Sequence, residues 1–193
     1  MNRSLAVAVA SLLIATTALP ATAQERPTPA VLLAAEKAAM APLAWMDGVW
    51  RGTAWTMLAS GDKHTVTHTE RIGPMLDGSV KVVEGRSYDP DGRVPFNAFG
   101  VISFSPYTKA YTLHSYAMGN AGDFPLTLKA DGYMWEIPAG PSVLRYTATL
   151  ANGTWTEVGD QIAPGKDPVR IFEMTLKRVG DSPWPGAGAV PPK

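Results

Sequence analysis

From Gly48 onward, apolar and polar residues alternate with a period of two, and short groups of turn residues interrupt the alternation. This period is typical of β-strands that bury one face and expose the other. Among the interruptions, Asn152-Gly153 between two alternating runs is the clearest hairpin signal. The segments predicted as strands are 49–58, 64–73, 79–88, 96–104, 110–118, 124–129, 133–137, 143–150, 154–162 and 169–179.

The connections between these segments are too short for a parallel sheet, because parallel neighbours need long crossover connections. A sandwich and an up-and-down barrel are the two remaining architectures. Consecutive hairpins favour the meander, and closing the meander removes exposed sheet edges. The sequence therefore predicts an all-β fold, a single closed antiparallel up-and-down β-barrel of about ten strands.

One helix is predicted before the barrel. Pro29 suits its first turn, residues 31–40 are rich in helix formers, and Pro42 ends it. We expect this short N-terminal helix to act as a lid or plug on the barrel.

The N-terminus has the pattern of a secretory signal. Arg3 precedes an apolar run over 5–18, Pro20 ends that run, and Ala21-Thr22-Ala23 offers small residues to a signal peptidase. The run is shorter than the ~20 residues of a membrane-spanning helix. The chain has no cysteine, which excludes a lipid anchor on a thiol. We expect cleavage after Ala23 and a periplasmic or secreted mature protein.

These patterns divide the chain into a signal peptide (1–23), a helix and linker (24–42), the barrel (43–179) and a disordered Pro/Gly tail (180–193). No second apolar run reaches membrane length, so no membrane span is predicted. The formal net charge is zero and no basic stripe is present, which makes nucleic acid and anionic membranes poor candidates for partners.

The motif Gly48-Val49-Trp50-Arg51-Gly52 resembles the first strand of lipocalin-like (calycin) barrels, where a tryptophan closes the barrel floor. The resemblance implies that Arg178, on the last strand, covers Trp50 through a cation–π contact. Further blocks resemble an uncharacterised bacterial secreted family of this barrel class. They are 69–78, 83–86, 145–149, 153–155 and 172–178.

This resemblance implies a ten-stranded barrel without an established activity. Related nitrobindin-like barrels hold haem through a histidine near the C-terminal strands. Here the three histidines are His64, His68 and His114, and none follows residue 114. Haem is therefore not predicted, and neither is any other cofactor.

A candidate set of polar residues lies on the strands after the floor motif. The condition is that Val66, Ile72, Val80 and Val82 face inward. In that case His68, Glu70, Glu84 and Arg86 line the cavity with them. The opposite phase would place these residues in solvent. We favour the inward phase because the other face of 64–73 is more polar. Arg145 and Glu157 are added from the strands that flank the Asn152-Gly153 turn.

The last strand completes the predicted cavity wall. Phe172, Met174 and Leu176 share one face, which carries Arg170 at one end and Arg178 at the other. A cavity arginine is suited to gripping a ligand carboxylate with two hydrogen bonds.

A metal site is not predicted. His64 and His68 lie about 13 Å apart along one strand, too far to share an ion. His68, His114 and Glu70 form a site only if the strand register brings them together.

The function predicted from these features is a carrier or sensor barrel for a small hydrophobic or amphipathic ligand. Two other functions stay open: an enzyme that uses His68 or Glu70 as general base, and a structural or interaction barrel with a packed interior. The candidate ligand contacts besides His68 and Glu70 are Glu84, Arg86, Arg145, Glu157, Arg170, Phe172 and Met174.

Expression in a bacterium that has a Sec pathway tests the export signal. We expect the mature chain to begin at Gln24, because the small residues before it suit the peptidase. N-terminal sequencing and intact mass of the exported protein measure the cleavage point. A cytoplasmic protein that retains Met1 would contradict the prediction.

Overall fold

The computed structural model describes residues 26–186 and confirms an all-β fold built on one closed antiparallel barrel. The predicted signal peptide and the last seven residues of the predicted tail lie outside the described residues. The helix is α1 (Pro29–Met40), and the ten strands are β1 (Gly48–Met57), β2 (Lys63–Met75), β3 (Val80–Tyr88), β4 (Phe96–Ser105), β5 (Ala110–Ala117), β6 (Asn120–Lys129), β7 (Gly132–Ala139), β8 (Ser142–Ala151), β9 (Thr154–Ile162) and β10 (Val169–Gly180).

Each strand pairs with the next one along the chain, and β1 pairs with β10 to close the barrel. The tight turns explain this meander. Asn152 and Gly153 both have positive φ, as a two-residue hairpin turn requires. Met118 and Gly119 do the same between β5 and β6. Because methionine is not a turn-forming residue, the sequence predicted β6 to begin at residue 124, four residues late.

The N-terminal segment plugs one end of the barrel. Thr28 caps α1, and a 3-10 helix (Ala41–Met46) carries the chain into β1. Leu43 and Met46 in that 3-10 helix are fully buried. The Tyr111 hydroxyl donates a hydrogen bond of 2.7 Å to the Ala39 carbonyl, which ties the end of α1 to β5.

Three tryptophans form the floor of the barrel. Trp50 meets Trp155 edge-on at a ring-centroid distance of 5.6 Å, and Trp45 meets both rings in the same way. The Trp50 Nε1–H donates to the Met46 carbonyl at 2.8 Å. This bond satisfies a buried donor and joins β1 to the plug.

Arg178 does not make the contact with Trp50 that the resemblance implies. It lies opposite Trp50 in the β1–β10 register, but its Nε donates to the Asp47 carbonyl at 3.1 Å. A Cβ on Gly48 would lie 2.7 Å from Arg178 Nη2, so the guanidinium lies against that glycine. In the described chain, Trp50 is therefore covered by other indoles and not by Arg178.

The described part of the tail contacts the barrel. The Arg71 guanidinium lies over the Trp184 ring at 4.5 Å, and the Trp184 carbonyl lies against Gly73 of β2. Within 26–186, no helix combines the length and the apolar character needed to cross a membrane.

Replacing Trp50 by alanine tests the floor. We expect Trp50→Ala to lower the free energy of unfolding by about 3–5 kcal/mol, since it opens a cavity among buried rings. Trp55→Ala is the matched control, because Trp55 lies on the outer face of the same strand beneath the Lys63 ammonium. Chemical denaturation measures both. Equal losses in the two variants would contradict a floor role for Trp50.

Candidate functional site

The barrel encloses a cavity of about 1070 Å³. Met46 and Trp155 lie at its floor, and Leu58, Phe96 and Met118 line its opposite end, where their side chains are exposed. The cavity therefore extends from the plug to a mouth at the other end of the barrel.

The face of β2 that we expected to point inward does line the cavity. His64, Val66, His68 and Glu70 all line the cavity. In β1 and β10, Ala54, Phe172 and Met174 line it as well. Glu157 of β9 reaches the same space. Whether these residues bind a ligand or carry out chemistry stays a prediction.

The predicted phase of β3 was wrong. Val83, Gly85 and Ser87 line the cavity, while Glu84 and Arg86 lie on the outer wall, where Glu84 bonds Arg71 Nε at 2.9 Å. Burial on both faces explains the error: Lys81 on the inner face and Val82 on the outer face are both buried. Lys81 is tolerated inside because its ammonium pairs with Asp47 at the floor.

Arg145 and Arg170 also lie outside the cavity, contrary to prediction. Arg145 bonds Glu136 at 2.7 Å on the outer wall. Arg170 bonds Asp160 at 2.6 Å. A β-bulge between Arg170 and Phe172 reverses the alternation there, so Ile171 and Phe172 both line the cavity.

The polar part of the cavity is a group that we call the glutamate cluster: His68, Glu70, Tyr133, Trp135 and Glu157. Glu157 accepts hydrogen bonds from the Tyr133 hydroxyl at 2.9 Å and from Trp135 Nε1 at 3.1 Å. In the strand register, Tyr133 and Glu157 lie on either side of Ala148. Because this fully buried residue has a small side chain, it leaves room for the Tyr133–Glu157 hydrogen bond.

The other half of the cluster is a hydrogen-bonded chain. His68 Nε2 lies 2.9 Å from Glu70 Oε1, and its Nδ1 lies 2.8 Å from the Ser87 hydroxyl. An ionised carboxylate only accepts hydrogen bonds, so Nε2 is the protonated nitrogen facing it. Gly85 makes space for the carboxylate, because a Cβ there would lie 2.7 Å from Glu70 Oε1.

One carboxylate oxygen of the cluster has no partner among the described residues. Glu70 Oε2 is buried and accepts no hydrogen bond there. A buried charged acceptor of this kind is costly unless a donor reaches it. This oxygen marks the place in the cluster where a hydrogen-bond donor is needed.

Burial raises the pKa of Glu157 to about 7. The hydrogen bonds from Trp135 and Tyr133 lower that pKa, the charge of Glu70 raises it and His68 lowers it. Burial also raises the pKa of Tyr133, and the neighbouring Glu157 and Glu70 add to this effect. The two carboxylates of the cluster therefore interact electrostatically inside the cavity.

Aromatic rings line the wall beside Glu157. Trp135 stacks on Tyr146 with centroids 4.5 Å apart, and Phe124 and Phe172 flank the pair at 5.5 and 5.8 Å. The sequence did not single out Tyr133 or Trp135 as site residues. Their roles as donors to Glu157 depend on register across three strands, which composition does not reveal.

A Ser–His–Asp chain lies on the outer wall. His114 Nε2 lies 2.9 Å from the Ser103 hydroxyl, and its Nδ1 lies 2.7 Å from Asp123. These residues lie on β4, β5 and β6, which are paired on both sides. Their backbone N–H groups therefore bond within the sheet and do not form an oxyanion hole.

The metal site considered from the sequence needed His68 and His114 side by side, but they lie on opposite faces of the barrel wall. The described residues contain no group of three metal-ligating side chains.

No protein-family model matches the chain, and no curated protein is significantly similar to it. The fold agrees with a lipocalin-like barrel, and membership of a bacterial secreted family stays a prediction.

The protonation of Glu157 predicts a pH dependence of stability. Its pKa in the folded protein, about 7, exceeds its ordinary value of 4.5, so the folded state holds this proton more tightly. The resulting stabilisation is complete below pH 4.5 and is lost as the pH rises through 7. Relative to Glu157→Gln, we expect the wild-type protein to lose about 3 kcal/mol of unfolding free energy over this window.

Urea denaturation of the wild type and variants from about pH 4.5 to about pH 8 measures the difference. Glu136→Gln, on the outer wall, is the matched control and should keep the wild-type slope. Parallel curves for the wild type and Glu157→Gln would contradict the assignment.

Proposed function

We propose that this protein is an exported carrier or sensor that binds a small, partly apolar molecule inside its barrel. The observation that carries the proposal is the cavity of about 1070 Å³ with a closed floor and a mouth at the opposite end. Ligand sites are typically concave, mostly apolar, about 300–1,000 Å³ in volume, and contain a few converging polar groups.

The composition of the wall supports binding. The wall contains the stacked Trp135 and Tyr146 rings together with Phe172 and Met174, and the glutamate cluster supplies its polar contacts. A barrel whose role is purely structural needs its interior filled by side chains. The size of this cavity argues against that alternative.

The enzyme hypothesis has less support. Proton abstraction by His68 or Glu70 leaves a negative charge on the substrate that a cavity arginine could stabilise, but Arg86, Arg145 and Arg170 lie on the outer wall. Within the described chain, the charged groups at the cavity are carboxylates, which repel a developing anion.

Binding of a neutral fluorescent dye tests the proposal. We expect Nile red to bind the purified protein with a blue-shifted emission, because the cavity is apolar and large enough to exclude water from the dye. Ser115→Trp should weaken dye binding at least ~10-fold, since an indole there fills the cavity beside Gly100 and Gly122.

The matched control is Thr127→Trp, which places the same indole on the exposed outer face of β6. Circular dichroism checks that both variants fold. Equal binding by the wild type and folded Ser115→Trp, or no binding by the wild type, would overturn the proposal. Native mass spectrometry of protein from its own host then identifies a retained ligand by mass.

A further inference from the structure

The sequence predicted both arginines and glutamates in the wall of the cavity, but the described lining contains glutamates and two histidines and no arginine. The charged side chains in its wall are Glu70 and Glu157, with His64 and His68, and none of the described lysines and arginines is part of the wall. Lys81 is buried below, but its ammonium is paired with Asp47. A ligand carboxylate would therefore meet two glutamates and no arginine.

The two carboxylates of the glutamate cluster offer more acceptor sites than the cluster has hydrogen-bond donors. Glu70 Oε2 has no partner among the described residues, and each Glu157 oxygen accepts one bond although it has room for two. Charge-assisted hydrogen bonds are about twice as strong as neutral ones. A ligand that brings both a positive charge and N–H donors therefore satisfies the cluster best.

We propose that the cavity binds an organic cation, a protonated amine on an apolar body, with its cationic head at the glutamate cluster and its body along the aromatic wall. This inference rests on the proposed binding function and names the chemical class of the ligand.

The aromatic wall suits the same class of ligand. Trp135 and Tyr146 line the cavity and place aromatic surface beside the proposed position of the cationic head. Phe172 and Met174 continue the wall with apolar surface for the body of the ligand. A neutral lipid would use this apolar surface but leave the carboxylates unpaired.

Binding of a cation should be linked to the proton on Glu157. The titratable groups that face Glu157 are Tyr133 from β7, Tyr146 from β8, and His68 and Glu70 from β2. Below pH 7 the carboxyl group holds its proton and attracts a cation less, and above that pH it is a carboxylate. The affinity for a cation should therefore rise as the pH rises through 7 and then level off.

Three probes with the same ten-carbon chain separate head-group chemistry from apolar binding: decylamine, decanol and decanoate. Calorimetry or Nile red displacement at about pH 8 measures their dissociation constants. We expect decylamine to bind at least ~10-fold more tightly than either of the other two. Decanol or decanoate binding as tightly as decylamine would overturn the inference.

Variants locate the head group. Glu157→Gln and Glu70→Gln should each reduce the preference for decylamine over decanol several-fold, and Glu157→Gln should abolish its rise with pH. Glu136→Gln on the outer wall is the matched control and should behave as wild type. Since Glu157→Gln changes a buried cluster, Nile red binding by each variant confirms an intact cavity.

The outcomes distinguish the two proposals. Nile red binding without a preference for decylamine overturns the cationic ligand and leaves the carrier function standing. Absence of binding for the dye and all three probes overturns both. An unchanged decylamine preference in a folded double variant, Glu70→Gln with Glu157→Gln, overturns the placement at the glutamate cluster and with it the inference.

Discussion

The pairing of β1 with β10 is the constraint on which the rest of the molecule depends. It turns a meander of hairpins into a closed wall, so that all inner side chains face one enclosed space. Polar groups on that face cannot turn to bulk solvent, and they must find partners across the barrel or along the wall. The bonds from Tyr133 and Trp135 to Glu157, and from His68 to Glu70, are the result of this requirement.

Closure also makes the N-terminal plug necessary. An open-ended barrel would expose Trp50 and Trp155 to water, whereas Leu43 and Met46 cover them here and bury their own apolar surface. The hydrogen bonds from Trp50 to Met46 and from Tyr111 to Ala39 hold the plug in a fixed position. The floor is therefore built by both the barrel and the segment that precedes it.

The sequence predicted the fold well because strand periodicity and turn chemistry are local signals. It also assigned the inner face of β2 and most of that of β10 correctly, since the opposite face of each strand is the more polar one. It failed at β3, where a buried lysine on the inner face and a buried valine on the outer face reverse the apparent phase. It failed at Arg170, where a bulge shifts the alternation by one residue.

The candidate site was harder to predict, because it depends on strand register and strand phase and not on local signals. Glu157, His68 and Glu70 were proposed, but the donors to Glu157 lie two strands earlier, on β7. Tyr133 meets Glu157 only because two hairpins place both residues beside Ala148. The outward position of the proposed cavity arginines follows from the phase of each strand, and an error in phase moves a charged side chain from the outer wall into the expected cavity.

The position of the plug determines where a tag, an anchor or a second domain can be joined to the barrel. Residues before β1 pack at the floor, and β10 runs toward the floor and ends there at Gly180, close to the contact of Trp184 with β2. Both ends of the described chain therefore emerge at the same pole of the barrel. A tag, a surface anchor or a fused domain joined at either end would stand behind the closed pole and leave the mouth unobstructed.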